Sequence, residues 1–182
     1  MATDKFEVTR IKTFNGREGQ GLNATITKNG KAICFVMDDA SGGEVDYDYS
    51  NPLQNAASFK ATTREMADAA ERDLTAFCKN WYETSPDAQE SRDQDAEMKK
   101  TYADWEPSYV ADWVNTLVDD HANKKRMDRM AKTKTLFRVA GEQYQQGEWR
   151  VLKKVYGPDV QKWLDQKYPN KVTEIYGVKA AS

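Results

Sequence analysis

The sequence predicts an α+β fold: an N-terminal antiparallel sheet built on a hairpin, a helical middle and a C-terminal ββαβ segment. Three observations predict it. Asn29-Gly30 lies between two alternating runs, the pattern of a two-residue type I′ hairpin. Apolar residues then recur at helical spacing from Met66 to Trp81 and again from Val110 to Leu117. Short alternating runs return after Thr135. The 182 residues suit a single domain, or two small ones sharing a core. A single domain could subdivide into a sheet with its covering helix (1–83), a helical segment (84–134) and the ββαβ unit (135–182).

Lys5–Phe14 reads as a first strand. Phe6 and Val8 alternate, while Ile11 and Phe14 fall out of phase, which predicts a bulge or a strand that crosses an edge. With Asn29-Gly30 as the turn, Thr27 is set opposite Ala32, Ile26 opposite Ile33, Thr25 opposite Cys34, Ala24 opposite Phe35 and Leu22 opposite Met37. One face then carries Leu22, Ala24, Ile26, Ile33, Phe35 and Met37 and needs a layer to bury it. After the turn Ala40-Ser41-Gly42-Gly43, residues Glu44–Tyr49 alternate. Val45, Tyr47 and Tyr49 form an apolar side and Glu44, Asp46 and Asp48 an acidic one.

Asn51-Pro52 opens a short helical piece. Thr62-Thr63-Arg64-Glu65 has the form of a capping box with Thr62 as cap, ahead of a helix over Thr63–Tyr82. Its stripe of Met66, Ala70, Leu74, Phe77, Cys78 and Trp81 is the expected cover for the sheet. Ser85 caps the next helix, with Pro86 in its first position. Glu83–Glu97 holds six acids and one Arg, a solvated or partner-facing stretch. Beyond Pro107, Val110, Trp113, Val114, Leu117, Val118 and His121 share one side of a helix that runs into a basic segment. Thr135–Val139, Glu148–Lys153 and Lys171–Tyr176 are the closing strands. A helix after Gly157-Pro158-Asp159 lies between the last two, so mixed pairing is expected.

Composition narrows the function classes. The chain is 39% hydrophobic and 31% charged, that of a folded globule, and its net charge of −2 marks neither a general nucleic-acid binder nor a membrane-surface protein. No apolar run approaches the roughly 18 residues of a membrane span, and MATDKFEVTR has no signal-peptide core. Cys34 and Cys78, one on a strand and one on a helix, read as two reduced buried thiols. These features predict a cytoplasmic protein without a cofactor.

Two stretches carry a resemblance. Phe14-x-Gly16-x-x-Gly19, followed by Asn29-Gly30-Lys31, Asp38-Asp39 and Gly42-Gly43, is similar to small uncharacterised proteins encoded by tailed bacteriophages and prophages. The C-terminal run TLFRV…EWRVLKKVYGPDV…YP…VTEIYG resembles segments of the same class, and together they cover about half the chain. The resemblance implies an accessory protein at work in the bacterial host cell, where such proteins bind and inhibit host or antiviral-defence machinery. It brings no catalytic residue with it.

The sharpest constellation is acidic. Asp38, Asp39, Glu44, Asp46 and Asp48, with Tyr47 and Tyr49, form the candidate partner-binding set, because aromatics beside charge anchor interfaces. The same acids have two further readings. They suit a solvated edge strand charged against wrong pairing, and they suit a Mg²⁺ or Ca²⁺ site serving a metal-dependent enzyme, although the spacing is not that of a calcium loop. A second surface is basic. Lys124, Lys125, Arg126, Arg129 and Lys132 are candidate phosphate contacts of a nucleic-acid-binding regulator, or else the cationic end of a helix countered by the Glu83–Glu97 acids. His121 is the sole histidine, and no Ser, Cys or Asp is tied to it by a recognised spacing, so it reads as a core-edge residue. No phosphate loop, dinucleotide fingerprint or nucleophile elbow occurs. A non-enzymatic protein that binds a bacterial protein partner is the expectation.

Overall fold

A computed structural model describes residues 4–144 and 147–178. It is of the α+β class, with an N-terminal four-stranded antiparallel sheet, a helical middle and a C-terminal three-stranded sheet with one helix. The chain forms two compact units, Met1–Val118 and Asp119–Ser182.

Unit 1 opens with β1 (Phe6–Asn15), β2 (Gln20–Lys28), β3 (Lys31–Asp38) and β4 (Asp46–Asp48), in spatial order β1-β2-β3-β4. Asn29 and Gly30 have φ of 52° and 78°, so both central residues of the hairpin turn are left-handed, as a type I′ turn requires. The bulge expected in β1 lies between Thr9 and Lys12, where Arg10 takes a φ of 54°.

A second bulge corrects the hairpin register. Thr27 does oppose Ala32, but Ile33 is then an extra residue, so Ile26 opposes Cys34, Thr25 opposes Phe35 and Ala24 opposes Val36. One inserted residue reverses the faces of everything after it. Leu22, Ala24, Ile26, Cys34 and Val36 therefore form the buried side, and Phe35 and Met37 project from the other.

The buried side is covered by α2 (Arg64–Thr84), through Leu74 and Cys78, and by Trp113 and Val114 of α4 (Tyr109–Ala131). Phe77 stacks on Phe6 with ring centroids 4.6 Å apart and meets Trp113 edge-on at 5.4 Å, tying β1, α2 and α4 to one core. The cap of α2 is Thr63 rather than Thr62, since the Thr63 side chain accepts from the Met66 amide. Thr62 instead closes α1 (Ala56–Ala61), donating its amide and its hydroxyl to the Ser58 carbonyl. Ser85 caps a 3₁₀ turn (Pro86–Ala88) that leads into α3 (Gln89–Thr101). Arg92, the one cation of the acid-rich stretch, donates to the Tyr82 and Ser85 carbonyls and so satisfies the end of α2.

Unit 2 contains β5 (Thr135–Val139), β6 (Arg150–Leu152), α5 (Pro158–Lys167) and β7 (Val172–Ile175). They form a sheet of their own, in order β6-β5-β7. The pairing is antiparallel throughout, not mixed. The helix does return the chain so that β7 runs in the same direction as β6. However, β7 adds on the far side of β5, which lies between them and opposes both. As the central strand, β5 is buried at every position but Arg138. Its Phe137 and Val139 pack with Val160 and Leu164 of α5.

Candidate functional site

The acidic constellation does not form one surface. Asp38 accepts from the Ala40 amide at 2.8 Å, and Asp39 accepts from the amide and hydroxyl of Ser41 at 3.0 and 2.6 Å. Both carboxylates close the turn after β3, and the Ser41 donors hold Asp39 below the usual carboxylate range. Asp48 accepts from the Ser50 amide and hydroxyl, the Asn51 amide and the Gln54 amide group, at 2.7 to 2.9 Å. Partial burial works to raise its carboxyl, and these donors outweigh that, leaving it lowered. Three of the five acids are thus occupied in shaping their own loops.

Glu44 lies outside β4 and lines a hollow of about 610 Å³ with Val45, Tyr47 and Tyr109, away from the row it was expected to join. Tyr47 and Tyr49 are inward, packed against the first core, and burial raises both hydroxyl pKa values. Neither is available as an exposed anchor, in keeping with the apolar side of β4 that the alternation marks. Their side of β4 is the one that α2 and α4 need in order to close the core.

What the fold brings together instead is Asp46 and Asp48 with Met37 and Phe35. Met37 pairs with Asp46 and Phe35 with Asp48, so both apolar side chains share the sheet face of both acids. With Tyr47 and Gln54 they line a hollow of about 360 Å³. Met37 is 39% exposed and Asp46 is exposed. Phe35 and Met37 escaped the sequence reading because the Ile33 bulge is invisible in a run where five successive residues, Ile33–Met37, are all apolar.

The glycine pattern has a structural reason. The Gly16 amide donates to the Gly19 carbonyl, and the Glu18 amide donates to the Ala40 carbonyl at 2.9 Å, so the β1–β2 loop lies on the turn after β3. A β-carbon on Gly16 would overlap that of Ala40, and one on Gly21 would meet the Phe14 ring and the Asp38 carbonyl. Residues 14–21 and 38–42 therefore form one corner of the fold.

A polar cluster in the helical middle had no sequence signal. Asp95, 8% exposed, accepts from the Tyr82 hydroxyl and the Trp105 indole N–H, each at 2.7 Å. Oδ2 of nearby Asp112 is buried without a hydrogen-bond partner. Desolvation, and then the charge of Asp95, raise the Asp112 carboxyl. Tyr82 is likewise raised, by burial first and by Asp95 next. Its members come from α2, α3, the following loop and α4, at separations that carry no periodicity.

Of the second predicted surface, Lys124, Lys125, Arg126 and Arg129 lie exposed on the C-terminal half of α4, and Lys132 lies exposed in the turn after it. Lys124 pairs with Asp128 at 3.3 Å, Arg126 donates to the Gly147 carbonyl at 3.0 Å, and Arg129 donates to the Lys125 carbonyl of its own helix. His121 is exposed rather than at a core edge, because the helix residues packed on the first core end at Val118. Cys34 and Cys78 are free and buried, and burial pushes each thiol up to about 12. Among the described residues, no group of three or more His, Cys, Asp or Glu is arranged to hold a metal ion, and no helix is long and apolar enough to cross a membrane. Comparison with family models, curated proteins and solved structures yields no match.

Proposed function

We propose that this chain is a non-enzymatic accessory protein, of the phage-encoded kind its sequence resembles, that binds and inhibits a bacterial protein of an antiviral defence system. The binding surface in this reading is the face of β3 and β4 turned away from α2. The observation that carries it is the pairing of Met37 with Asp46 and of Phe35 with Asp48. An apolar pair framed by carboxylates suits a basic partner: the acids steer and orient it, and burial of the thioether and the ring supplies most of the affinity. Two features speak for binding rather than turnover. Both thiols are buried with raised pKa values, and His121 stands on an exposed helix surface.

The test is affinity capture from bacterial lysate with wild-type bait and with a Met37→Asp/Asp46→Lys bait. Neither side chain is part of the buried core, so the variant should melt with the wild type. A protein retained by wild type, lost with the variant and released by salt meets the expectation. Identical captures with both baits would remove this face from consideration.

A further inference from the structure

Charge separates by structural unit. Residues 119–182 hold 14 Lys and Arg against 8 Asp and Glu, a net of +6, leaving residues 1–118 with 13 against 21, a net of −8. Within unit 2, three cations lie close together at the end of α4. Lys125 and Arg129, one turn apart, share one face of α4, and Lys132 follows in the turn just past the helix end at Ala131. All three are exposed, and none forms an ion pair among the described residues. The nearest acid on that helix, Asp128, is already engaged, accepting from the Tyr176 hydroxyl at 2.7 Å and pairing with Lys124.

Beside this stripe, on the Arg126 flank, a hollow of about 350 Å³ is lined by the apolar side chains of Met127, Met130, Leu136, Trp149 and Val151, with Arg126 and Glu148 as its charged members. Val151 is 45% exposed at its rim. A cationic line next to an apolar and aromatic recess matches the two needs of an unpaired strand, whose phosphates want cations and whose bases want flat apolar surface. A duplex keeps its bases stacked inside and has no use for the recess.

We propose that unit 2 binds single-stranded nucleic acid, with the backbone along Lys125, Arg129 and Lys132 and a base against the hollow beside Arg126. The stripe, with Arg126 beside it, offers three or four cations to the phosphates of one strand. The proposal rests on residues of unit 2 alone and does not depend on the acidic-apolar face of unit 1.

The experiment is fluorescence anisotropy of the full chain with a labelled 20-nucleotide single strand, the matching duplex, and polyglutamate as a non-nucleic polyanion. Three or four phosphate contacts predict a loss of roughly 20- to 50-fold in affinity between 50 and 200 mM salt. The Lys125→Glu/Arg129→Glu/Lys132→Glu variant should lose at least about tenfold at 50 mM. The corresponding triple Gln variant, which adds no negative charge to the helix, should lose several-fold with an unchanged circular dichroism spectrum. Val151→Asp should erase the preference for single strand over duplex. No binding at 50 mM, wild-type affinity in the folded Gln variant, duplex bound as tightly as single strand, or polyglutamate competing as well as nucleic acid would each overturn the proposal.

Discussion

Replacing Asp112 by Asn should stabilise unit 1 at neutral pH, the reverse of what most buried substitutions do. The side chain sits in the first turn of α4 with Oδ2 buried and unpartnered, near the Asp95 carboxylate and the Tyr82 hydroxyl from the neighbouring helices and the Tyr47 hydroxyl from β4. Desolvation and the Asp95 charge both disfavour its ionised form, so its folded pKa lies above the ordinary 3.8. A raised carboxyl binds its proton more tightly folded than unfolded. Stability therefore falls as pH rises from the unfolded value through the folded one, and the penalty is complete above that. Asn keeps a polar atom at this position but removes the charge, and for a half-buried site that puts the expected gain at about 1 kcal/mol at pH 7. For a chain of this size that raises Tm by roughly 2–4 °C. Calorimetric scans of wild type and Asp112→Asn at matched pH between 3.5 and 8 test it. Taking the difference at each pH cancels the acid losses from carboxyls that hydrogen bonds hold low, such as Asp39 and Asp48. The gap should open as pH rises and close toward pH 3.5. A variant no more stable than wild type at pH 7, or a gap that does not change with pH, would refute the reasoning.

The partner carboxylate has the opposite sign. Asp95→Ala strands the Tyr82 hydroxyl and the Trp105 indole N–H without their acceptor, so urea unfolding should show a loss of about 2–3 kcal/mol, against about 1 kcal/mol for Tyr82→Phe. At the glycine corner, Gly16→Val places a branched side chain on Ala40 and the Asp39 carbonyl. It should lower stability by about 2 kcal/mol in thermal melts, whereas Gly43→Ala, where a β-carbon meets nothing, should leave them within about 0.5 kcal/mol.

The local devices were written in the sequence because each depends on a few adjacent residues. Asn29-Gly30 turns the hairpin whatever surrounds it, Ser85-Pro86 starts a new turn, and the stripe through Leu74 and Cys78 marks the face of α2 that must be covered. The tertiary structure decided everything that depends on which of two equivalent surfaces is buried. Ile33 to Met37 is apolar on both sides, so alternation could not choose between Ile33-Phe35-Met37 and Cys34-Val36. The choice follows from packing, because the smaller Cys34 and Val36 fit under Leu74, Cys78 and Trp113, and the bulge at Ile33 makes that fit possible. The same choice turned Tyr47 and Tyr49 inward and put Phe35 and Met37 beside Asp48 and Asp46. The placement of β7 beyond β5 follows the same logic, since a helical crossover fixes the direction of the next strand but not which edge of the sheet receives it. The Asp95–Asp112 cluster lay wholly outside the reach of pattern, because its members come from three helices and a loop and only the packing of those elements removes the water between them.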